Sequence, residues 1–510
     1  MLSFLGEIWR QCMNNAVASR RAFLKLAGTV AAAEFLQPAF TAGALKANEA
    51  NALPEATSPD YTLRIAAAPI EIAPNHIVSA ITYNGQFPGP LLRFKEGRQV
   101  VVDVHNDTDT PEQLHWHGQF VPVDVDGAAE EGTPFIPAHG MRRLVFTPRP
   151  AGLRFYHTHN RAGPDLHAGQ YSGQVGPVYI EPTRDSGGYD REVFLVLKEF
   201  EPTLSRGGDM AMDFLAPATE DKTLKEAGDS AMKASLAKGT PHGYEVGYRY
   251  FTINGRMLGH GEPVSVKTGE RVLFQILNGS ATEIRSLALP GHTFKVIALD
   301  GNPVPVPVDV PVLWLGTAER ISAIVQMKHP GVWVMGDLAD DDRSHGMGIV
   351  IEYCGQPGKP QWIKPKPFHW NYARFGETGN ASPAPDETID MLLFKRNAAV
   401  DGFNEWTIND VAFSMDKPAP MFHIRQGRRY RLRMRNASDD IHPIHLHRHS
   451  FELIKLAGQS TAGIMKDVVM VGGYQEVEVD FVADNPGLTL FHCHQQLHMD
   501  YGFMALFDYV

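Results

Sequence analysis

Three times along the chain a glycine leads into an alternating apolar run that ends on asparagine: EGRQVVVDVHN closing at Asn106, TGERVLFQILN at Asn278 and QGRRYRLRMRN at Asn436. Nine and eleven residues beyond each asparagine stand His115 and His117, then Leu287 and Leu289, then His445 and His447. A second anchor repeats in register: GLRFYHTH from Gly152, GVWVMGDL from Gly331 and GLTLFHCH from Gly487. It sets His157 and His159 against Gly336 and Leu338, and these against His492 and His494. A repeat of this kind makes each copy the same supersecondary unit, and alternation at period two makes that unit β. The chain therefore reads as three related β-domains, with metal-binding residues in the first and third and none in the middle.

Glycine, proline and polar residues cluster at Arg184 to Asp190 and at Gly355 to Pro367. Such stretches mark domain boundaries and predict domains over 55–184, 190–355 and 368–510. The remaining glycines and prolines are scattered, as expected of many short strands joined by turns. One segment departs from this. TLKEAGDSAMKASLAK, Thr223 to Lys238, starts on a capping box at Thr223 and Glu226 and stops at Gly239, which predicts a helix inserted in the second domain to cover a sheet edge.

On a strand, residues i and i+2 share a face and i+1 takes the other. Each HxH pair thus aims two imidazoles one way, and four such pairs exist: His115/His117, His157/His159, His445/His447 and His492/His494. A single pair is usually structural; four at repeated positions point to metal. With His492 and His494 facing a neighbouring domain, Cys493 faces the interior of its own, where His498 and His442 supply partners. One cysteine with two histidines is the trigonal set of a blue copper electron-transfer site, and no fourth strong ligand is offered to close a structural zinc site. The eight paired histidines are expected to converge between the first and third domains and to share further metal ions. Cys493, lying between two of them, links the two centres covalently.

The net charge of −11, with a pI near 6.0 and no dense basic run in the body of the chain, argues against a nucleic-acid partner. Of the cysteines Cys12, Cys354 and Cys493, the last two are far apart and form no disulfide framework. SRRAFLK, Ser19 to Lys25, followed by the apolar LAGTVAAAEFLQPAF and small residues, resembles a twin-arginine export signal. Residues 1–47 are thus expected to be removed, leaving an exported, periplasmic protein with no membrane span.

HWHG at His115, YHTH at Tyr156, HPIHLH at His442 and HCHQQLH at His492 resemble, in order, the four copper motifs of the multicopper oxidases, the laccase family; NGQFPGP at Asn84 resembles the first-domain lead-in of that family. The resemblance implies a mostly β fold of three consecutive cupredoxin-like Greek-key β-barrels holding four coppers. It implies His442, Cys493 and His498 as type 1 ligands and His115 and His445 as type 2 ligands. His117, His157, His159, His447, His492 and His494 then hold the type 3 pair. Asp126, in DVDG, matches the acid that lies near the cluster and helps protonate bound oxygen, and Asp500 is a candidate for related work. The axial position, ten residues after the cysteine, falls on Phe503, with Met504 beside it. A phenyl ring donates nothing, which raises the type 1 potential. His449 lies beyond the completed ligand set and is expected to pack.

The implied activity is one-electron oxidation of small reducing substrates, phenols and aromatic amines, coupled to reduction of dioxygen to water. A cuprous oxidase is the nearest alternative, but Met210, Met212 and Met232 are too sparse for a methionine-rich insertion. A copper nitrite reductase lacks the type 3 set. The alternative outside catalysis is a copper-binding or structural envelope protein.

Overall fold

Each repeat folds around its asparagine-terminated strand. Val100–Asn106 runs parallel to Tyr61–Ala73 and antiparallel to Gly140–Phe146. Arg271–Asn278 lies in the same way between Arg191–Ser205 and Arg320–Gln326, and Arg429–Asn436 between Glu387–Val400 and Glu476–Val482. A parallel neighbour cannot be reached by a hairpin, so in each copy the chain crosses to a second sheet and returns. The computed structural model describes residues 58–184, 187–205, 214–240, 242–377 and 382–510. Among these it forms six sheets, two for each repeat.

Arg429–Asn436 shows how the sequence dictates this packing. Tyr430, Leu432 and Met434 point inward and are fully buried, while Arg429, Arg431 and Arg433 face outward onto Asp480, Glu478 and Asp390. Each inward side chain contributes roughly 1.5–3 kcal/mol of burial, whereas the exposed Arg433–Asp390 pair contributes little.

The repeated asparagine is buried in all three copies and does the same work in each. Its Oδ1 accepts from the backbone N–H two residues on, at Thr108, Ser280 and Ser438. Its Nδ2 donates to carbonyls of the following loop and of a distant segment: Thr110 and Ile136, Glu283 and Leu315, Asp440 and Val471. The side chain thereby closes the turn and fixes the entry of the next strand, which carries the HxH pair or its apolar counterpart.

Those strands pair so that His115 stands opposite His157, His445 opposite His492, and Ala288 opposite Gly336. Leu287 and Leu289 are buried in an apolar cluster with Leu313 and Met335. The middle copy thus keeps the scaffold and fills the ligand positions with core.

The inserted helix spans Lys222–Ala237, and its N-cap is Asp221, not Thr223. The Asp221 carboxylate accepts from the N–H groups of Thr223 (2.8 Å) and Leu224 (3.4 Å) and from the Thr223 hydroxyl (2.6 Å). A carboxylate at the positive end of a helix outcompetes a hydroxyl two residues further in. The surface this helix covers belongs to the third barrel: a Cβ on Gly228 would lie 2.5 Å from the Ala437 carbonyl, and Asn397 donates to Met232 Sδ at 3.0 Å. No helix among the described residues is long and apolar enough to cross a membrane. The twin-arginine segment, Cys12, Met210 and Met212 lie outside the described residues.

Candidate metal centre

All four HxH pairs are buried at one junction of the first and third barrels. Their ring nitrogens form three groups within 4.8 Å, the first two sharing His117: His115 with His117 and His445, His117 with His157 and His494, and His159 with His447 and His492. A separate group inside the third barrel joins His442, Cys493 and His498.

Hydrogen bonds fix the tautomer of most rings. The Nδ1–H groups of His115, His157, His445 and His492 donate to the carbonyls of Asp126, Thr158, Asp467 and Cys493 at 2.7–2.9 Å, and His447 Nδ1–H donates to Asp126 Oδ2 at 2.8 Å. These rings turn Nε2 toward the centre. His117 is reversed: its Nε2 meets Asp467 Oδ1 at 3.2 Å and its Nδ1 is free to turn inward.

A buried polar atom without a partner is rare. Here Nε2 of His115, His157 and His445, Nδ1 of His117 and both nitrogens of His159 and His494 have none among the described residues. Burial first, and then the neighbouring imidazoles, hold His117, His159, His445, His447 and His494 well below the usual histidine range. Burial takes His492 down to about 3. Neutral rings with inward lone pairs are what metal ions require, so the residues fit a cluster of metals.

In the second group Cys493 Sγ lies 3.4 Å from His498 Nδ1 and 3.8 Å from His442 Nδ1, and those two nitrogens are 3.1 Å apart. Burial raises the Cys493 thiol and lowers His442 to about 4. One soft and two borderline donors converge without a fourth strong ligand, the donor set of blue copper. Phe503 closes the space: its ring centroid is 4.7 Å from that of His442 and 6.5 Å from that of His498. Met504 pairs across the sheet with His492 and packs with Ala128, Leu490 and Met499 in another cluster. The outer edge of His442 meets Ser438 Oγ at 2.9 Å, and Trp406 stacks on His498 at 3.9 Å.

Asp126 lies at the larger group and contacts both His447 and His115. Asp500 is placed otherwise. Its carboxylate accepts from the N–H groups of Ala162 and Gly163 and from Gln496, tying the first barrel to the third, and burial raises it to about 7. His449 is buried against Tyr509, 2.7 Å from its hydroxyl. Sequence reasoning missed Glu130 and Glu131, buried 3.6 Å from His159 and His447 respectively. Burial raises Glu130 to about 7; burial and Asp126 push Glu131 well up. It also missed Asp467, Trp406 and Ser438, for which only a three-dimensional neighbourhood gives a signal.

Three matches to multicopper oxidase family models, over residues 65–185, 221–348 and 385–510, fall one on each repeat. The chain belongs to the multicopper oxidases: it is a copper oxidoreductase that uses oxygen as acceptor and small molecules as reducing substrates. Among curated proteins it is similar to the multicopper oxidase MmcO of Mycobacterium tuberculosis, at 30% identity over 85% of this chain and 84% of that one. It is also similar to a bilirubin oxidase of Albifimbria verrucaria, at 24% over 84% and 72%. Among solved structures, a multi-copper oxidase from Pseudomonas thermotolerans superimposes with a TM-score of 0.66 at 25% identity, over 89% of this chain and all of that one. A laccase from Botrytis aclada, at 19% identity over 88% and 87% with a TM-score of 0.69, shares the fold.

Proposed function

We propose that this chain is a laccase-like oxidase of phenols and aromatic amines. Copper, when bound, supplies one-electron oxidation of the donor and four-electron reduction of dioxygen to water. His442, Cys493 and His498 would hold the type 1 ion and His115 and His445 the type 2 ion. His117, His157 and His494, with His159, His447 and His492, would hold the type 3 pair. The observation that carries this reading is the convergence of eight buried histidines, six of them with inward nitrogens that lack partners among the described residues, joined through Cys493 to a second donor set.

Phe503 is proposed to take the axial position without donating. Asp126 would orient His447 and His115 and hold a proton beside the cluster, and Asp500 would tie the two ligand-bearing barrels together. The proposed barrel limits are 55–184, 190–355 and 368–510.

The donor class is supported at the outer edge of His442. A cavity of about 130 Å³ there is lined by Asp229, Met232, Lys395, Ser438, Asp439 and Tyr474, with Lys395 paired to Asp439 at 2.6 Å. The Tyr474 face with the Asp229 carboxylate and the Lys395–Asp439 pair beside it suits a phenol or an aromatic amine, which can hydrogen-bond there and stack. The one thioether in it, Met232, already accepts from Asn397, which makes a poor soft site for cuprous ion. A larger cavity, of about 1070 Å³, opens on the middle barrel at Arg271, Lys295 and Asp309 and contains none of the paired histidines. Arg20 and Arg21, in SRRAFLK, support export by the twin-arginine route to the periplasm.

Steady-state oxygen uptake by the fully loaded enzyme, with a substituted phenol and with cuprous ion, tests the reading. The higher kcat/KM is expected for the phenol; a rate confined to cuprous ion would overturn it.

A further inference from the structure

At the centre of the molecule five buried charged side chains from all three barrels meet. Asp467 of the third barrel receives both ends of the Arg320 guanidinium of the middle barrel, Nη1 to Oδ1 and Nη2 to Oδ2, each at 2.6 Å. Arg154 of the first barrel reaches Asp467 Oδ2 at 3.2 Å. Asp300 of the middle barrel accepts from the N–H groups of Asp467 and Val468 and pairs with Lys466 at 2.8 Å. All five side chains are fully buried.

Asp467 also touches two proposed copper ligands. Its carboxylate oxygen, the one that receives Arg320 Nη1, lies 3.2 Å from His117 Nε2, and its carbonyl accepts from His445 Nδ1–H at 2.7 Å. The first contact is the reason His117 presents Nδ1 inward while its neighbours present Nε2. The second fixes the opposite tautomer on His445. One residue thus sets the orientation of a ring from each ligand-bearing barrel, and the two rings stack on one another. The glycine of HWHG makes room: Gly118 has a φ of +74°, and a Cβ there would lie 2.5 Å from Asp467 Oδ2 and 2.8 Å from Arg320 Nη2.

We infer that Arg320, on the barrel that has lost its own ligands, is a positioning residue of the copper cluster, clamping Asp467 so that His117 and His445 offer Nδ1 and Nε2 respectively. A forked guanidinium fixes both oxygens of a carboxylate in one plane, which a single ammonium cannot do. Without that fork the carboxylate is free to rotate away from His117, whose tautomer is then no longer set. Partners of metal-binding histidines commonly change metal affinity by about 10- to 100-fold when altered. The middle barrel would therefore act on the cluster and not only as a spacer. The burial that would lower Arg320 is more than offset by Asp467 and Asp300, in keeping with a permanently charged clamp.

This inference rests on the ligand assignment proposed above. The test is Arg320→Lys in the full chain, copper-loaded, read by copper per chain, blue absorbance, the near-ultraviolet band of the type 3 pair and the electron paramagnetic resonance of the two paramagnetic copper types. A positioning role predicts an unchanged type 1 signal, a weakened near-ultraviolet band of the type 3 pair that His117 would serve, and cluster copper that is lost to a chelator at roughly 10- to 100-fold lower chelator concentration. A merely structural clamp predicts a lower Tm with equal loss at both sites and unaltered signals, and this outcome would overturn the inference. Should Arg320→Lys not fold, Asp467→Asn decides: it keeps the carbonyl bond to His445 and removes the charge-matched fork, and an unchanged type 3 near-ultraviolet band in it overturns the inference. Wild-type enzyme that lacks cluster copper would instead remove the underlying assignment.

Discussion

The imidazoles of His117 and His445, one from the first barrel and one from the third, lie face to face with centroids 3.7 Å apart and planes 17° from parallel. Two charged rings could not stack so closely in a buried site, and burial holds both well below the usual imidazole range. The junction between the barrels is therefore built from neutral histidines.

Metal-free protein should be acid-labile for that reason. A histidine depressed in the native state leaves stability intact above its unfolded pKa, about 6.5, and removes up to about 1.4 kcal/mol per pH unit as pH falls below it. Several rings act together, so the Tm of chelator-treated enzyme should drop steeply between pH 7 and 5, and copper-loaded enzyme should drop less. Equal, shallow slopes for both forms would contradict this.

Glu112 should act in the opposite sense. It lies buried beside the first-barrel histidine strands, where Oε2 accepts from Asn160 at 3.0 Å and Gln174 at 3.1 Å, and burial raises it to about 7. A raised carboxyl keeps its proton in the native state while the unfolded chain ionises, so stability falls as pH rises from about 4.5 to 7 and levels off above. Glu112→Gln should gain on wild type across that window by up to ~3 kcal/mol. Urea midpoints at pH 5 and pH 8 check it; a constant offset between the two proteins would rule it out.

The spacing from Cys493 left Phe503 and Met504 both open, and the strand pairing turns Met504 away from the His442–Cys493–His498 group. Met504 opposes His492 and so points away from Cys493, while the Phe503 ring sits over His442. Phe503→Met should add a weak axial donor, stabilise Cu(II) and lower the type 1 potential by on the order of 100 mV, about 2.3 kcal/mol for one electron. Redox titration of the blue band reads this directly. Phenols that are hard to oxidise should slow more than easy ones, and an unchanged potential would mean that the new thioether does not reach copper.

What could be read from the chain is what periodicity carries. HxH aims two rings one way on any strand, and the repeated glycine and asparagine set the register, so the paired histidines, Cys493 and the apolar Leu287 and Leu289 were visible before any fold was known. Asp467, Arg320, Glu130 and Glu131 carry no such spacing; Glu130 takes its meaning from His159 on its own barrel, and the other three from a neighbour on another barrel. The N-cap shift to Asp221 has a local cause, a carboxylate within reach of the same N–H groups. The helix lies on the third barrel although its sequence belongs to the second, which only tertiary packing decides.

Copper counted per chain, together with the blue band, in wild type and in Cys493→Ser tests the account most directly. The two donor sets share no ligand, so wild type should hold four coppers and be blue, and the variant should hold about three and be colourless, with the cluster signal retained. One copper per wild-type chain, zinc in place of copper, or loss of the cluster together with Cys493 would contradict it.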